Sequence, residues 1–529
     1  MFWADKITDE IGTKFKKEIA DRESIIIRDE KTASGRMLIS AMRGAVIHGI
    51  ISEIFSEKKV SNTFLWEIND TDALRSIPKN LDEKKYRQYL GFPLYTIPSP
   101  EEGAENYPEF FAKEFTQTIE HMGFTPIYYR SSVAYREGKF NDAIQIALQN
   151  ATLIRDIYKK ISGSEKPVDW LPLLVVCEKC GKIGTTKATS FDGEKVKYTC
   201  DSNVVEWADG CGHSGEVSPF NGNATLPWKV EWAAKFKVFN VKVEGGGKDL
   251  STKGGARDVS NHIAREVFKH QPPFDIPYEF FLAEGKKMST SKGNAPAARE
   301  IMNILPPHIY RLVFLGKNYK HAIEFNITGD TVPILFDRHD KIAEKYFAHP
   351  EDDDARLFAL IYSAAERQSL TEHFLPRFSL VSFLVQMPHI NIEDEFSKIK
   401  GSTLTKEDKD ELKMRVEYAN RWLKEYAPEE YKYELQHNVL PEATKSFSDK
   451  QKKILVKVLD YIQSQEKLEG EKLHTQLHQI RQESDIEPKE FFSALYLSFL
   501  GKDSGPKAGW FLSVIDRKFL EKRLKEASK

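Results

Sequence analysis

The pattern of apolar and polar positions divides the chain into two regions. Up to about residue 345, short apolar runs alternate with helical stretches, whereas beyond it helical periodicity dominates and no clear strand pattern appears. Leu455, Val458, Leu459 and Ile462 repeat at i, i+3, i+4 and i+7, the spacing of one buried helix face. The same spacing recurs from Phe492 to Phe499, before Gly501. The pattern therefore predicts an α/β region followed by an all-α region.

The N-terminal segment has the pattern of the opening of a parallel sheet. An apolar strand at residues 24–27 leads to the turn Thr32–Gly35 and then to a helix with apolar residues on one face over 46–54. A second strand at Thr63–Ile68 ends in the acidic turn Asn69–Asp72. Strand, turn, helix and strand begin a doubly wound fold, whose ligands bind at the carboxyl ends of the strands.

An insertion separates this opening from the rest of the sheet. Residues 81–225 mix proline-rich turns with helical stretches at Pro108–His121 and Asp142–Ser162. The aromatic-rich segment 227–232 follows, and a turn is predicted at Gly245–Asp249 because glycines and a lysine cluster there. The α/β pattern then continues, so the insertion lies between two halves of one sheet.

All four cysteines fall within the insertion, at Cys177, Cys180, Cys200 and Cys211. Their clustering in a chain with no export signal favours tetrahedral Zn²⁺ ligation over disulfides. The second pair is widely spaced, so His213 is a possible substitute ligand. Free thiols in a knuckle without zinc, or a redox role, remain as alternatives.

A polar loop framed by lysines carries the strongest chemical signal. It follows the strand-like segment Ile276–Leu282 and consists of Lys287, Met288, Ser289, Thr290, Ser291, Lys292 and Gly293. Lysines offer mobile positive charge, hydroxyls offer donors, and glycine lets the backbone bend close, so the loop can close over a polyphosphate. An isolated match of this kind would usually be a solvated loop. This one resembles the KMSKS motif of class I aminoacyl-tRNA synthetases, with Thr290 in place of the second lysine.

Composition narrows the class of protein. The chain has 529 residues, enough for three or four domains, and 77 Lys and Arg against 79 Asp and Glu give a net charge of -2. A nucleic-acid surface must therefore be a local basic patch. No stretch is apolar enough to span a membrane and the N-terminus has no secretory pattern, so we expect a cytoplasmic protein without a membrane partner.

Three blocks together resemble class I lysyl-tRNA synthetase. They are Thr32–Gly35, the segment Leu226–Trp232 with Gly247–Asp249, and the lysine loop at 287–292. The resemblance implies a split Rossmann-like parallel sheet with a cysteine-ribbon insertion, followed by an all-α C-terminal domain. It also implies the division of the chain. The two halves of the nucleotide-binding domain are residues 1–80 and 226–285, and the insertion between them is 81–225, with a ribbon at 170–220. The KMSKS loop and stem-contact segment follow at 286–345, and the anticodon-binding domain is 346–529.

The same resemblance implies a function and a site. The expected activity is attachment of L-lysine to tRNA(Lys) at the expense of ATP with Mg²⁺, through a lysyl-adenylate. The implied ATP-binding residues are Thr32, Ser34, Gly35, Ser40, Lys287, Met288, Ser289, Thr290, Ser291 and Lys292; the implied amino-acid-binding residues are Thr32, Trp228, Asp249 and Tyr278. The acids of Asn69–Asp72 and Glu279 are candidates for holding the lysine ammonium. Oligomeric state is left open, with a monomer favoured.

Three positions depart from the family pattern. The HIGH-like tetrapeptide reads Leu38-Ile39-Ser40-Ala41, so its phosphate-binding histidine is a leucine and its glycine is a serine. A second family histidine, after Gly-Lys-Asp, is Leu250. Leucine cannot donate to a phosphate. His48 lies thirteen residues past Gly35, about 20 Å along a helix, and is interpreted as a packing histidine.

These departures keep other functions open. One is a synthetase-like paralogue that binds tRNA or nucleotide with weak or no adenylation. Another is a class I enzyme of different specificity, or a nucleotidyl transferase.

Overall fold

The computed structural model describes residues 1–283, 285–288, 296–387, 390–438 and 440–529. The chain divides into two compact units. The first comprises Met1–Phe325 with Lys341–Leu370, and the second Asn326–Asp340 with Thr371–Lys529. Within the described ranges, every helix is too short or too polar to cross a membrane.

All strands of the described residues belong to the first unit. They are β1 (Ile25–Thr32), β2 (Asn62–Asn69), β3 (Ile127–Arg130), β4 (Leu174–Val175), β5 (Thr186–Phe191), β6 (Val196–Cys200), β7 (His213–Val217), β8 (Ala224–Thr225), β9 (Val243–Gly247), β10 (Phe274–Tyr278), β11 (Phe281–Ala283), β12 (Lys286–Lys287) and β13 (Ile323–Glu324). The main sheet has the order β10-β9-β1-β2-β3, with every neighbouring pair parallel. The split parallel sheet is confirmed, and β4 to β8 lie outside it within the predicted insertion. Strand β3 also falls within residues 81–225 but is the edge strand of the main sheet, paired in parallel with β2.

The helices up to residue 361 belong to the first unit, except for the first ten residues of the thirteenth helix. They are α1 (Trp3–Lys14), α2 (Lys16–Ala20), α3 (Met42–Glu57), α4 (Glu83–Tyr86), α5 (Tyr107–His121), α6 (Ser131–Arg136), α7 (Asn141–Gln149), α8 (Ala151–Ser162), α9 (Trp228–Val238), α10 (Ala256–Glu266), α11 (Ala298–Ile304), α12 (Pro307–Leu315), α13 (Thr331–Ala348) and α14 (Asp353–Ile361). Helix α3 follows β1 and is buried on nearly every side, because its sequence is apolar almost throughout. The helix predicted over 142–162 is two helices, separated at Asn150.

The turn predicted at Gly245–Asp249 is wrong in its first half. Gly245 to Gly247 complete β9 and pair in parallel with Ile276 to Tyr278 of β10. A Cβ on Gly245 would lie 2.5 Å from the Ile276 carbonyl oxygen and 3.2 Å from His48 Nε2. Glycine is therefore used here for close approach of backbones within the sheet, and not for a turn.

The second unit is helical throughout its described residues. Besides the first ten residues of α13, it contains α15 (Phe378–Leu384), α16 (Ile392–Lys400), α17 (Lys406–Glu425), α18 (Asp449–Ser464), α19 (Gly470–Glu483), α20 (Pro488–Leu500), α21 (Ala508–Ser513) and α22 (Arg517–Ala527). Helix α20 starts at Pro488 and ends before Gly501, whose φ of 67° is left-handed. The helix end predicted at Gly501 is confirmed.

Candidate active site

The predicted turn Thr32–Gly35 lies at the carboxyl end of β1. Thr32 is the last residue of the strand, and its hydroxyl donates to Asp72 Oδ2 at 3.1 Å. The Ser34 carbonyl oxygen accepts a hydrogen bond from the Tyr107 hydroxyl at 2.9 Å, while the residue itself is exposed. A Cβ on Gly35 would approach Pro78 Cγ to 3.3 Å. The turn is thus anchored by its backbone, with its hydroxyl groups at the edge where a ligand is expected.

The degenerate HIGH segment is joined to the chain that follows the lysine loop. Leu38 forms an isolated β-bridge with Ala297, and the Ile39 N–H donates to the Pro296 carbonyl at 3.2 Å. Ser40 is half-buried in a short 3₁₀ turn, Ile39–Ala41, that opens α3. These contacts fix the place where the lysine loop rejoins the fold, although Leu38 offers no side-chain donor there.

His48 is a packing residue, as the sequence predicts. Its ring is fully buried, with Nε2 accepting from the Gly245 N–H at 2.8 Å. Nδ1 therefore donates to Asp29 Oδ2, 2.9 Å away. Both ring nitrogens are occupied by the protein, so His48 does not replace the missing phosphate ligand.

The predicted residues Lys287 and Asp249 lie together. Lys287 Nζ is 3.0 Å from Asp249 Oδ2 and 3.9 Å from the centroid of the Phe280 ring. Met288 is buried, and its N–H donates to the Phe281 carbonyl at 3.1 Å. The remaining members of the loop, Ser289, Thr290, Ser291 and Lys292, fall outside the described residues.

Arg43 holds the strand before the lysine loop against α3, and sequence analysis missed it. Its buried guanidinium donates to the carbonyl oxygens of His321 at 2.7 Å and Tyr319 at 3.1 Å. Burial among carbonyl groups lowers the pKa of Arg43 to about 10. An arginine eight residues after Gly35, in the apolar first half of a helix, was the available signal, since a buried cation needs dedicated partners.

Trp228 and Trp232, one turn apart on α9, differ in exposure. Their rings stack at 6.0 Å with an interplanar angle of 10°. Trp232 is buried and donates from Nε1 to Glu244 Oε1 at 2.5 Å, whereas Trp228 is 46% exposed. Packing therefore explains Trp232, while Trp228 presents an open ring face.

Tyr278 and Thr32 lie on opposite faces of the sheet. The Tyr278 hydroxyl faces α3, because a Cβ on Gly44 would lie 3.0 Å from it and 2.3 Å from Asp29 Oδ2. Burial, and next the charge of Asp29, raise the pKa of Tyr278. Strand alternation places Thr32 on the other face with Glu30, whose carboxylate contacts α9. The structure does not bring these two predicted amino-acid-binding residues into contact.

A buried cluster of charges lies on the α9 face. Lys235 Nζ contacts Glu67 Oε1 at 2.7 Å, Glu231 Oε2 at 2.8 Å and Glu30 Oε2 at 3.0 Å. Arg28 pairs with Glu30 and Glu67 and with Glu244 at 3.0 Å. We call Arg28, Glu30, Glu67, Glu231 and Lys235 the α9-face cluster.

Two carboxyl groups of the α9-face cluster have strongly shifted pKa values. Burial raises the pKa of Glu231 to about 7, against the nearby charge of Lys235. Burial also acts to raise the pKa of Glu30, but Lys235 and Arg28 outweigh it and hold that pKa at about 2. The signal in the sequence was the i, i+4 pair Glu231 and Lys235 on one helix, which alone would indicate a surface ion pair.

Three acidic residues are candidates for binding the side-chain ammonium of a lysine substrate, and their surroundings differ. Asp70 is saturated, because it accepts from the Ser132 N–H at 2.7 Å and from both Ser131 and Ser132 hydroxyls. Glu279 is paired with Lys248 Nζ at 2.6 Å. Asp72 is half-buried and forms no ion pair among the described residues, and burial raises its pKa. Of the three, only Asp72 retains a carboxylate available to a cation.

The four cysteines form one cluster. Their sulfurs all lie within 4.8 Å of one another, and two S–S separations, Cys177 to Cys211 and Cys180 to Cys200, are both 3.7 Å. A tetrahedral ion with four sulfurs at ~2.3 Å would have S–S edges of ~3.8 Å, so the arrangement fits zinc. These separations exceed a disulfide bond, ~2.05 Å. His213 is outside the cluster, its ring packing edge-on against Tyr198.

Comparison with known families agrees with this architecture. The family described as "tRNA synthetases class I (K)" matches residues 1–367, and an "Anticodon binding domain" matches residues 385–528. The chain therefore belongs to the class I tRNA synthetases. The family match spans the sheet, the cysteine cluster and the lysine loop.

Two curated relatives that align with nearly the whole chain are lysine–tRNA ligases. The lysine–tRNA ligase of Methanosarcina barkeri (strain Fusaro) is 31% identical over 99% of this chain and 97% of its own length. The lysine–tRNA ligase of Archaeoglobus fulgidus is 29% identical, with full coverage of both chains. A solved glutamate tRNA ligase from Elizabethkingia meningosepticum aligns over 96% of this chain and 99% of its own at 11% identity and a TM-score of 0.43, too distant to bear on function.

Proposed function

We propose that the protein attaches L-lysine to tRNA(Lys) in an ATP-dependent reaction that passes through a lysyl-adenylate. The observation that carries the proposal is the uncompensated carboxylate of Asp72, hydrogen-bonded to Thr32 at the carboxyl end of the sheet. In a chain of this family, that edge is where the amino acid and ATP are expected.

The reaction needs positioning more than a protein nucleophile. The lysine carboxylate attacks the α-phosphate of ATP and expels pyrophosphate, and a terminal ribose hydroxyl of tRNA then attacks the adenylate carbonyl and releases AMP. In the first step charge is transferred among phosphate oxygens, so cations and donors held in place provide the catalysis. Mg²⁺ enters with ATP as part of the substrate.

Asp72 selects the lysine side chain in this proposal. A half-buried carboxylate that forms no direct ion pair gains from a bound ammonium, because the positive charge offsets the burial that raises its pKa. The Thr32 hydroxyl orients one oxygen, and the exposed ring face of Trp228 offers a neighbouring apolar surface. The α9-face cluster cannot take this role, because Lys235 already occupies its carboxylates.

Lys287 supplies charge to the phosphates. One of its partners is Asp249, and both side chains of this pair are about half exposed. Exposed pairs of this kind contribute only ~0–1 kcal/mol, so a triphosphate can displace Asp249. Ser289, Ser291 and Lys292 complete the phosphate contacts in this proposal, together with the turn Thr32–Gly35.

The cysteine cluster holds a structural zinc. Four thiolates supply a complete tetrahedral shell, and such sites stabilise small folds rather than react. The Thr185 hydroxyl donates toward Cys200 Sγ at 3.2 Å, a contact that suits a metal-bound thiolate. Metal analysis of the purified chain should give one zinc per chain, and Cys200→Ser should abolish it; no zinc in the unaltered chain would contradict the assignment.

The experiment for the whole function is aminoacylation of a tRNA(Lys) transcript with a panel of radiolabelled amino acids. We expect lysine to be attached, ornithine to be attached poorly and neutral amino acids to be rejected. Attachment of a neutral amino acid in preference to lysine would contradict the role of Asp72.

A second candidate function is supported by Leu38 and Leu250. Leu38 lies where the HIGH histidine is expected, and Leu250 packs against the apolar core. A chain without both donors could retain tRNA binding while adenylating slowly or not at all. Binding of tRNA(Lys) without attachment of any amino acid would favour this candidate.

A further inference from the structure

The proposed lysine-binding residue Asp72 is held through its backbone by a second stretch of chain. The Asp72 carbonyl oxygen accepts a hydrogen bond from the Leu94 N–H at 3.0 Å. Two residues further on, the Leu74 carbonyl oxygen accepts from the Gly91 N–H at 3.0 Å. We call residues 91–95 the support segment, because these hydrogen bonds fix the chain at Asp72 and just beyond it.

The cysteine-rich part of the insertion is bonded to the support segment in turn. The Gly91 carbonyl oxygen accepts from the N–H groups of Ile183 at 2.8 Å and Gly184 at 3.0 Å. Both donors closely follow the turn at 177–180, which supplies two of the four clustered cysteines. Gly91 has a φ of 91°, and a Cβ there would approach the Ala208 Cβ to 3.2 Å. The cysteine cluster is therefore connected by backbone hydrogen bonds to the segment that holds Asp72.

Trp207 adds a side-chain contact to this connection. It lies in the loop at 201–210, which is flanked on both sides by cysteines of the cluster. Gly184 separates the indole ring from Ala73, since a Cβ on Gly184 would lie 2.6 Å from Trp207 Cη2 and 3.2 Å from the Ala73 Cβ. Ala73 directly follows Asp72 in the chain. The indole thus supports the backbone at Asp72 across a position where any larger residue would force a shift.

The surroundings of Trp207 suit a positioning role better than a core role. The ring is half-buried and lines an open cavity of about 600 Å³ together with Arg75 and Leu90. Arg75 is also one of the charges that act to lower the pKa of Asp72. Removing a ring that borders open space leaves less of an enclosed void than removing a core tryptophan, so the chain should still fold without it.

We propose that Trp207 is a positioning residue for Asp72, acting through Gly184 and Ala73. Without the indole, the backbone at Asp72 has more freedom, and the carboxylate spends less time where an ammonium can pair with it. The consequence for lysine affinity rests on the proposed function, which gives Asp72 the task of binding the lysine side chain.

The test combines hydrogen exchange with lysine binding, both on the full-length chain. Trp207→Ala should speed exchange severalfold in peptides covering 70–75 and the support segment, because the hydrogen bonds between them open more often. Peptides covering β9 and β10 should keep their rates. In calorimetric titrations, we expect the Kd for lysine to rise about tenfold and that for ATP to stay within about twofold, since displacing one binding group weakens only its own contact.

A double variant separates positioning from a general loss of structure. Added to Asp72→Asn, Trp207→Ala should weaken lysine binding no further, because the carboxylate that it positions is already absent. Trp170→Ala is the matched control. This half-buried tryptophan of the insertion packs against Tyr158, with 5.9 Å between ring centroids, and its loss should change neither the exchange of 70–75 nor the affinity for lysine.

Gly184→Ala disturbs the same contact while keeping the indole. The added Cβ would lie 2.6 Å from Trp207 Cη2, so the ring or Ala73 must move. Exchange of 70–75 should rise and lysine affinity should fall. Both changes should shrink when Trp207→Ala is also present, because the steric conflict is then gone. Thermal melting of each variant checks that the chain is folded.

Two results would overturn the proposal. One is unchanged exchange of residues 70–75 in both Trp207→Ala and Gly184→Ala. The other is an equal loss of lysine affinity from Trp207→Ala with and without the Asp72 carboxylate. Exchange is measured in the absence of lysine and ATP. A chain that binds no lysine but shows the faster exchange would therefore contradict the proposed function and support the positioning of Asp72 by Trp207.

Discussion

The two faces of the central sheet use buried charge in different ways. On the α9 face, Lys235 is enclosed by three carboxylates and Arg28 pairs with two of them. On the α3 face, the buried polar groups include the His48–Asp29 pair and the Arg43 guanidinium, and the turn leading into α3 carries leucine at the expected phosphate-binding position. Under the proposed function, the dense polar framework lies on the amino-acid side of the site, whereas the ATP side carries a leucine in place of the HIGH histidine.

Under the proposed function, this difference predicts that the protein holds lysine with more polar contacts than it holds ATP. The three carboxylates of the α9-face cluster are already paired with Lys235 or Arg28, so the cluster can fix β1 and β2 in place while leaving Asp72 available. The α3 face fixes Asp29 and Tyr278 by close packing at Gly44. Substitutions on each face separate these contributions.

Lys235→Met should have the largest effect on stability. It leaves Glu30, Glu67 and Glu231 without their shared cation, and breaking a buried ion pair in this way costs about 3–5 kcal/mol of unfolding free energy. Urea denaturation measures the loss. The matched control is Lys237→Met on the exposed side of the same helix, which should change stability by less than ~0.5 kcal/mol. Equal effects of the two changes would show that the cluster contributes little.

Asp72→Asn should mainly affect lysine binding. Removing one partner of a partly buried charge pair costs roughly 2–5 kcal/mol, so we expect KM for lysine to rise about 100-fold while KM for ATP stays within twofold. Lysine-dependent pyrophosphate exchange, with lysine and ATP varied in turn, gives both values. Glu279→Gln is the control, because its carboxylate is already paired with Lys248. A larger rise in KM for lysine with Glu279→Gln would reassign the selecting acid.

Gly44→Ala tests the packing of the α3 face. The added Cβ would lie 2.3 Å from Asp29 Oδ2, so the helix or the carboxylate must shift, at a cost of about 1–3 kcal/mol. Gly12→Ala in α1 is the counterpart, since its Cβ would meet nothing closer than 3.9 Å. That change should stabilise the chain by about 0.5–1 kcal/mol through helix propensity. Thermal or urea unfolding of both variants distinguishes steric conflict from propensity, and stabilisation by Gly44→Ala would contradict the close approach.

Asp249→Asn should have the smallest effect. The Lys287–Asp249 pair is about half exposed, so its loss should cost less than ~1 kcal/mol of stability. Freed from Asp249, Lys287 should reach ATP more readily, and KM for ATP should fall by about two- to fivefold. A large rise in KM for ATP would instead give Asp249 a direct role in substrate binding.

The sequence predicted much of the parallel sheet, but it did not predict the buried ion pairs on its faces. Strand β2 and helix α3 follow from their apolar residues, but β1 was predicted only over residues 24–27. The observed strand continues through the polar residues Arg28 to Thr32, which the apolar pattern does not mark. Strand β9 was misjudged because Gly245 to Gly247 resemble a turn, and only their neighbours in the sheet explain why side chains are excluded.

The candidate site was only partly predictable for a related reason. Thr32, Asp249 and Lys287 were found by local motifs, and the structure pairs the last two. The α9-face cluster joins residues far apart in sequence, and only the parallel register that sets Glu30 opposite Glu67 brings them together. No local pattern encodes that register, so Lys235 could not be distinguished from a surface lysine.

The most direct test of this difference between the two faces is lysine-dependent ATP–pyrophosphate exchange. The rate of the unaltered chain is compared with that of the double variant Leu38→His, Ser40→Gly. We predict exchange by the unaltered chain with a normal KM for lysine, and an increase in kcat of at least tenfold when the donor is restored, because one phosphate contact of this kind contributes about 2.7–4 kcal/mol. Equal rates from the two proteins, or no exchange by either, would contradict the view that the amino-acid side is intact and the ATP side weakened.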